Sequence, residues 1–270
     1  AGFSPPDGAP YCFCEDCKQA AQNFRYPYYG FRDERPMMSD EFFEFTARIA
    51  REFPDKWFLT MAYSLREMPP QGVELPDNVI ISYAPITTDV LYPGDTLQWR
   101  RNQTMEILRQ WREQTPHVYM RDYNPGFLLG MFVPERDTEN LAVNVPLYRE
   151  MQIKGMGREG RKAFMQTWLS YYTTAKLLWN ADNSVEAIKD EFYSAFFGPR
   201  AGPHVRAWWD ACAARLLEGQ AQAHEDWIVN DLYDQTFAER IHAHVEAALA
   251  AESTPAQRER IEAFALIAEN

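Results

Sequence analysis

The sequence predicts an α/β fold in which a parallel sheet is followed by an α-helical region. Up to about residue 160, short apolar strand patterns alternate with helical patterns and with turns rich in proline and glycine. The strand patterns are apolar on both faces, which is typical of strands buried on both sides of a parallel sheet. Beyond residue 162 nearly every segment has helical periodicity. We therefore expect two domains, residues 1–162 and 163–270.

Three strands and three helices are predicted in the first domain. The strands are residues 57–64 (WFLTMAYS), 78–84 (NVIISYA) and 117–122 (HVYMRD), and the helices are residues 40–53, 96–114 and 139–151. We expect Ser39 to cap the first helix and Pro146 to distort the third. The prolines at 69, 70 and 76 predict a long loop between the first two strands. The alternation implies right-handed crossovers.

Five helices are predicted in the second domain. They are residues 163–179, 185–197, 203–217, 227–251 and 255–268. Ser184 is the expected N-cap of helix 185–197, which ends at Gly198. Thr254 is the expected start of helix 255–268, because a proline follows it at the first helical position. On the first of these helices, Trp168, Tyr171 and Trp179 are interpreted as core residues.

The charge of the chain argues against two classes of partner. Asp and Glu number 39 against 27 Lys and Arg, a formal net charge of −12. Such a surface repels phosphate backbones and anionic lipid headgroups. No apolar run approaches the ~20 residues that a membrane helix needs, and the first residues, AGFSPPDGAPYC, show no signal-peptide pattern. We expect neither a nucleic-acid partner nor a membrane.

Three cysteines form the most specific local motif. Cys12, Cys14 and Cys17 make a C-x-C-x-x-C cluster. Three thiols this close can hold a soft metal such as zinc if a fourth ligand is present. The alternatives are a loop disulfide with a spare thiol, buried reduced thiols, or a catalytic nucleophile, although no histidine is near in sequence. The fourth cysteine, Cys212, lies mid-helix far along the chain and is a weak candidate ligand.

Carboxylates and tyrosines follow the predicted strands, where parallel sheets place their active sites. Asp7 lies on a stiff S-P-P-D-G turn, where it either acts on a ligand or bonds its own backbone. The other residues after predicted strands are Tyr63 with Glu67 beyond it, Tyr83, Asp122 with Tyr123, and Glu159 after a fourth, doubtful strand. The alternative to a catalytic role is a structural salt bridge for Asp122. For Glu159 it is a place in a solvent-exposed run of charged residues. Tyr28 and Tyr29 are loop candidates for stacking on a sugar.

Several segments, in order, resemble a known bacterial family. They are SPPDG…CFCEDC, TMAYSLREMPP, LPDNVIIS, VYMRDYNPG, LYREMQIKGMGREG and YYTTAKLLWNADNSVEAIKDEFYSAFFG, over about residues 2–215. These segments are similar to the family catalogued as domain of unknown function 4838. The resemblance implies a (β/α)8 barrel allied to the β-hexosaminidase and α-glucuronidase barrels. It also implies glycoside hydrolysis in a secreted or periplasmic setting, often with accessory domains.

The resemblance, taken with the strand ends, gives a catalytic hypothesis. Asp7 or Glu159 would protonate the leaving oxygen, and Asp122 would act as nucleophile or base. Tyr63, Tyr83 and Tyr123 would shape the sugar site by stacking and hydroxyl bonds. The substrate would be a polysaccharide or glycan.

This hypothesis requires no cofactor, and a structural zinc in the cysteine cluster is an alternative to a disulfide or to reduced thiols there. The rivals are a non-catalytic carbohydrate-binding barrel and a metal-dependent or metal-stabilised protein. A full barrel takes about 250 residues. In this sequence only about 160 residues show the alternation of strand and helix patterns that a barrel requires. We therefore expect this sequence to be the C-terminal portion of a barrel and to belong to a longer chain that carries further domains.

Overall fold

A computed structural model describes Gly2, Cys12 and residues 14–22, 25–27, 34–85, 98–123, 138–158, 164–218 and 232–269 of the chain. These residues form two compact units. The first comprises the described residues of Ala1–Thr88, Leu97–Tyr123 and Tyr148–Arg158. The second comprises those of Asn124–Leu147 and Glu159–Asn270, and so includes residues that precede the boundary predicted at 162.

The first unit is built on a four-stranded parallel sheet. Its elements in chain order are α1 (Glu15–Gln22), β1 (Arg25–Pro27), β2 (Glu34–Pro36), α2 (Ser39–Glu52), β3 (Phe58–Ala62), a 3-10 turn (Ser64–Arg66), β4 (Val79–Tyr83), α3 (Gln98–Gln114), β5 (Val118–Asp122) and β6 (Met156–Arg158). The parallel strands lie in the order β3-β4-β5-β6, and β1 pairs with β2 in a separate antiparallel ribbon. The three predicted strands and the parallel α/β class are confirmed, and the doubtful fourth strand exists. The described strands form a four-stranded sheet, not a closed barrel.

One face of this sheet is buried and the other is partly open. Phe58, Ile81 and Met120 represent the buried face. On the opposite face Leu59 is 44% exposed and Tyr119 is 39% exposed. The prediction that both faces are buried is therefore wrong for the described residues. An apolar pattern reports the chemistry of a face, but it does not report whether another layer covers that face.

Helices α2 and α3 supply the apolar side chains that form the core of this unit. Phe43 of α2 and Trp111 of α3 are fully buried, and their rings meet edge to face with centroids 4.9 Å apart. The indole N–H of Trp111 donates to the backbone carbonyl of Glu67 at 2.8 Å. The predicted loop after β3 is thereby fixed against α3, and Glu67 is held near the strand ends.

The second unit is helical. It contains residues 138–147 of α4 (Thr138–Glu150), followed by α5 (Phe164–Trp179), α6 (Val185–Phe197), α7 (Gly202–Glu218), α8 (Gln235–Ala250) and α9 (Pro255–Glu269). The predicted helical region is confirmed, with Pro146 inside α4. Trp168 lies in the core of this unit, whereas Trp179 is 92% exposed, so the core interpretation is wrong for Trp179. Trp179 is the last residue of α5.

Helix capping agrees with the predictions at two of the three caps named. The Ser184 hydroxyl accepts a hydrogen bond from the N–H of Ala187, and Thr254 exchanges hydrogen bonds with Gln257 in a capping box. Ser39 is a buried residue inside α2 and does not cap it, because the helix begins one residue earlier than predicted. Residues 227–231 of the helix predicted over 227–251 lie outside the described residues. Among the described residues α8 begins at Gln235, where Asp234 caps it by accepting a hydrogen bond from the Phe237 N–H at 2.8 Å.

The helical unit contains a buried lysine in an acidic setting. The Nζ atom of Lys189 lies 3.2 Å from Asp210, 3.4 Å from Glu186 and 3.6 Å from Glu139. These carboxylates belong to α7, α6 and α4, so one charge joins three helices of the unit. Within the described part of the chain, no helix is long and apolar enough to cross a membrane.

Candidate functional site

The carboxyl edge of the sheet brings together side chains from three neighbouring strands and the loop after β3. Because the strands are parallel, Tyr63 after β3, Tyr83 at the end of β4, and Asp122 with Tyr123 at the end of β5 share this edge. The four other carboxylates and tyrosines named from the sequence, namely Asp7, Tyr28, Tyr29 and Glu159, lie outside the described residues.

Asp122 forms an ion pair with the neighbouring strand. It lies directly opposite Arg158 of β6 in the sheet register, and the carboxylate is 2.9 Å from the guanidinium. The Arg158 side chain is 4% exposed and that of Asp122 is 15% exposed. The salt bridge considered for Asp122 is therefore present. Its partner at 2.9 Å is Arg158 of the neighbouring strand. This pairing places a charge of opposite sign beside the carboxylate at the end of β5.

Glu67 is a second carboxyl group at this edge. The Tyr83 hydroxyl donates a hydrogen bond to Glu67 Oε1 at 2.9 Å. Burial raises the pKa of Glu67 to about 7, and the hydrogen bond from Tyr83 opposes this only in part. Because desolvation disfavours the charged form, a substantial fraction of Glu67 is protonated near neutral pH. Glu67 keeps 8% of its surface exposed.

Tyr83 does not have the exposure that sugar stacking requires. Its exposed fraction is 0%, and burial raises the pKa of its hydroxyl well above the usual value. The expectation that Tyr83 stacks on a sugar therefore does not fit the structure. The ring lies beneath the edge and supports Glu67.

Tyr63 and Tyr123 form an aromatic pair on the other face of the sheet. Their ring centroids are 6.2 Å apart, and the Arg121 guanidinium lies 5.9 Å from the centre of the Tyr123 ring. Side chains alternate along a strand, so Tyr63 and Arg121 belong to the face of Leu59 and Tyr119, the partly open one. Tyr63 is partly exposed, whereas only 8% of Tyr123 is exposed.

The same alternation assigns Asp122 to the face of Met120 and Tyr83. The carboxyl groups and the aromatic pair thus lie on opposite sides of the sheet and share only its edge. A ligand that contacts both sets has to lie beyond the strand ends.

The cysteine cluster predicted from the sequence exists in the structure. The sulfur atoms of Cys12, Cys14 and Cys17 all lie within 4.8 Å of one another, and all four cysteines of the chain are free thiols. Hydrogen bonds from the Cys17 N–H and the Cys12 thiol lower the pKa of Cys14. Hydrogen bonds with Cys12 and Cys14 raise the pKa of Cys17. Cys212 is buried in the helical core and is not a member of this cluster.

Two residues of the edge received no catalytic role from the sequence, although Glu67 is among the residues named after the predicted strands. Glu67 follows β3 by five residues, and the signal that could have identified it is the segment E-M-P-P, whose residues are all buried. Arg158 is the last residue of β6, the strand that was doubtful from the sequence. Its pairing with Asp122 becomes visible only when the strand register is known.

Comparison with known proteins gives one match. A family model described as "Domain of unknown function (DUF4838)" matches residues 2–210, which confirms the resemblance drawn from the sequence segments. No curated protein and no solved structure matches the chain.

Proposed function

The chain belongs to the family described as a domain of unknown function (DUF4838), and we propose that it is a glycoside hydrolase. Its substrate is the O-glycosyl bond of a polysaccharide or glycan. The observation that carries the proposal is the presence of two carboxyl groups in different surroundings at one edge of a parallel sheet. Glu67 is buried with a raised pKa, and Asp122 is ion-paired with Arg158.

Two carboxyl groups in different surroundings suit the two roles in glycoside hydrolysis. A carboxyl group that keeps its proton near neutral pH can protonate the leaving oxygen as the glycosidic C–O bond breaks. The other carboxylate can attack the sugar carbon as a nucleophile or remove a proton from water as a base. We assign the first role to Glu67 and the second to Asp122. The partly exposed Tyr63, with the buried Tyr123 ring next to it, provides the surface on which the sugar stacks. Asp7 and Glu159 remain candidates for the proton donor.

The sheet order supports a barrel as the complete fold. Four parallel strands follow one another in sequence order without a reversal, as in a (β/α)8 barrel, whereas doubly wound sheets reverse their strand order. Gly2 adds a parallel bridge to Leu59 at the free side of β3. The partly open face of the sheet would then be the barrel interior.

A polymeric glycan does not cross a membrane, so this function implies that the protein acts outside the cytoplasm. Secretion or export to a periplasm, and accessory domains on a longer chain, are part of the same proposal.

The proposal is tested by incubating the full-length protein with a panel of plant, microbial and animal polysaccharides. We expect release of reducing sugar from at least one of them, and we expect the Asp122→Asn variant to bind that polysaccharide without releasing sugar. The absence of sugar release from every member of the panel would contradict the proposal.

One observation favours a second candidate, a non-catalytic carbohydrate-binding protein. Asp122 is already engaged by Arg158, as expected of a structural residue. In that case the protein would bind a polysaccharide from the panel with no turnover, and Asp122→Asn would not change the affinity.

A further inference from the structure

We propose that Cys12, Cys14 and Cys17, together with Glu41, bind one zinc ion that ties helix α1 to helix α2. This site is independent of the proposed hydrolase activity, since none of its residues belongs to the carboxyl edge of the sheet. The inference rests on the positions of the three sulfur atoms, on two backbone donors and on the contact between Cys17 and Glu41.

The three sulfur atoms are already close to the spacing that zinc requires. All of their mutual distances are within 4.8 Å. Zinc–sulfur bonds of about 2.3 Å in tetrahedral geometry place neighbouring sulfurs roughly 3.8 Å apart. Small side-chain rotations are therefore enough to close the site. Cys12 and Cys14 are exposed, so a metal ion can reach them from solvent.

Backbone groups at the start of α1 orient one of the sulfurs. The N–H groups of Asp16 and Cys17 hydrogen-bond to the sulfur of Cys14, which immediately precedes the helix. Such donors are the usual outer contacts of thiolate ligands, because they fix the sulfur and compensate part of its charge. The helix thus fixes the position of Cys14 relative to Cys17.

Glu41 supplies the fourth ligand. It lies in the first turn of α2, and its side chain hydrogen-bonds to the Cys17 thiol. A carboxylate oxygen is an ordinary zinc ligand at about 2.0–2.2 Å. On binding, the thiol protons are released to solvent and the metal takes the place of the proton between Cys17 and Glu41. Within the described part of the chain, neither a histidine nor the Glu41 carboxylate belongs to the set of ligand atoms that lie within 4.8 Å of one another, so the Glu41 side chain has to rotate toward the sulfurs to complete the site.

A disulfide accounts less well for the arrangement. Any single disulfide would use two of the three cysteines and leave the third as an exposed or half-exposed thiol. A metal ion uses all three sulfurs and also explains the placement of Glu41.

The test is metal analysis of the full-length protein, purified with a non-chelating reductant and dialysed against zinc sulfate. We expect one zinc per chain, and after exchange to cobalt we expect a thiolate-to-cobalt charge-transfer band with intense tetrahedral d–d bands. Cys14→Ser and Cys12→Ser should each abolish stoichiometric binding. Glu41→Gln should weaken binding by at least about tenfold, an effect seen even for groups that only support metal ligands.

Two variants serve as matched controls. Cys212→Ala removes the thiol outside the cluster, and Glu44→Gln removes an exposed carboxylate from the same helix as Glu41. Both should bind zinc as the wild type does. The site is overturned if the reduced protein takes up no stoichiometric zinc, or if thiol-blocked protein isolated from its own compartment carries a disulfide within the cluster. Unchanged affinity in Glu41→Gln would remove Glu41 from the ligand set.

Discussion

At pH 8 the Glu67→Gln variant is expected to be more stable than the wild type by about 3 kcal/mol, whereas at pH 4 the two should be equally stable. The pKa of Glu67 is raised from 4.5 to about 7 because the carboxyl group is buried. Glutamine resembles the protonated acid in shape and keeps an oxygen that accepts the Tyr83 hydrogen bond. The free energy of unfolding in urea, measured at both pH values, checks this prediction.

The sign follows from proton binding in the two states. Between pH 4.5 and about 7 the folded protein keeps the Glu67 proton that the unfolded chain has lost. The folded state therefore binds more protons, and stability falls as the pH rises through this window. Above pH 7 the folded protein has to bury a charged carboxylate, which lowers its free energy of unfolding. Glu67→Gln removes this destabilisation because glutamine carries no charge.

Glu74→Gln is the matched control, because Glu74 lies exposed in the same loop. It should leave the stability unchanged at both pH values. A stability difference between Glu67→Gln and the wild type that is the same at pH 4 and pH 8 would show that Glu67 does not carry the raised pKa.

Asp122→Asn is expected to lower kcat on the best polysaccharide by about 10²–10⁴-fold, and to lower stability by about 3 kcal/mol or more. The stability loss has a simple cause, since the variant takes from Arg158 the carboxylate at 2.9 Å in a nearly buried pair. The loss of turnover has a different cause, which is the removal of the nucleophile or base. Rates are compared per folded molecule, with the folded fraction measured by circular dichroism.

Arg158→Met separates these two causes. It breaks the same ion pair and should cost similar stability, but it keeps the Asp122 carboxylate and should retain kcat within about tenfold of the wild type, well short of the loss of a catalytic group. Equal losses of turnover in the two variants would show that Asp122 has only a structural role.

The strands and helices could be predicted from the sequence because their signals are local. Residues 57–64, 78–84 and 117–122 are apolar runs bounded by turns, and the structure places β3, β4 and β5 inside them. The caps at Ser184 and Thr254 could be predicted because a cap depends only on one residue and the next few along the chain. The open face of the sheet could not be predicted, because Leu59 and Tyr119 have the same chemistry whether or not a further layer covers them.

The candidate site was predictable only in part. That strand ends meet at one edge follows from parallel pairing, so Tyr63, Asp122 and Tyr123 could be named in advance. The pairing of Asp122 with Arg158 depends on the register between β5 and β6, and the raised pKa of Glu67 depends on the burial of its carboxyl group. Neither register nor burial is a property of a short segment. Tyr83 was assigned to sugar stacking because its own burial is likewise not visible in sequence.

The most direct test of the proposed division between acid and carboxylate is the pH dependence of kcat/KM for the wild type and Glu67→Gln on the same polysaccharide. A proton donor must be protonated to act, so kcat/KM of the wild type should fall as the pH rises through about 7, the pKa of Glu67. Glu67→Gln should have a lower kcat/KM and should lack this descending limb. The same limb, at the same pH, in both proteins would contradict the assignment of Glu67 as the proton donor.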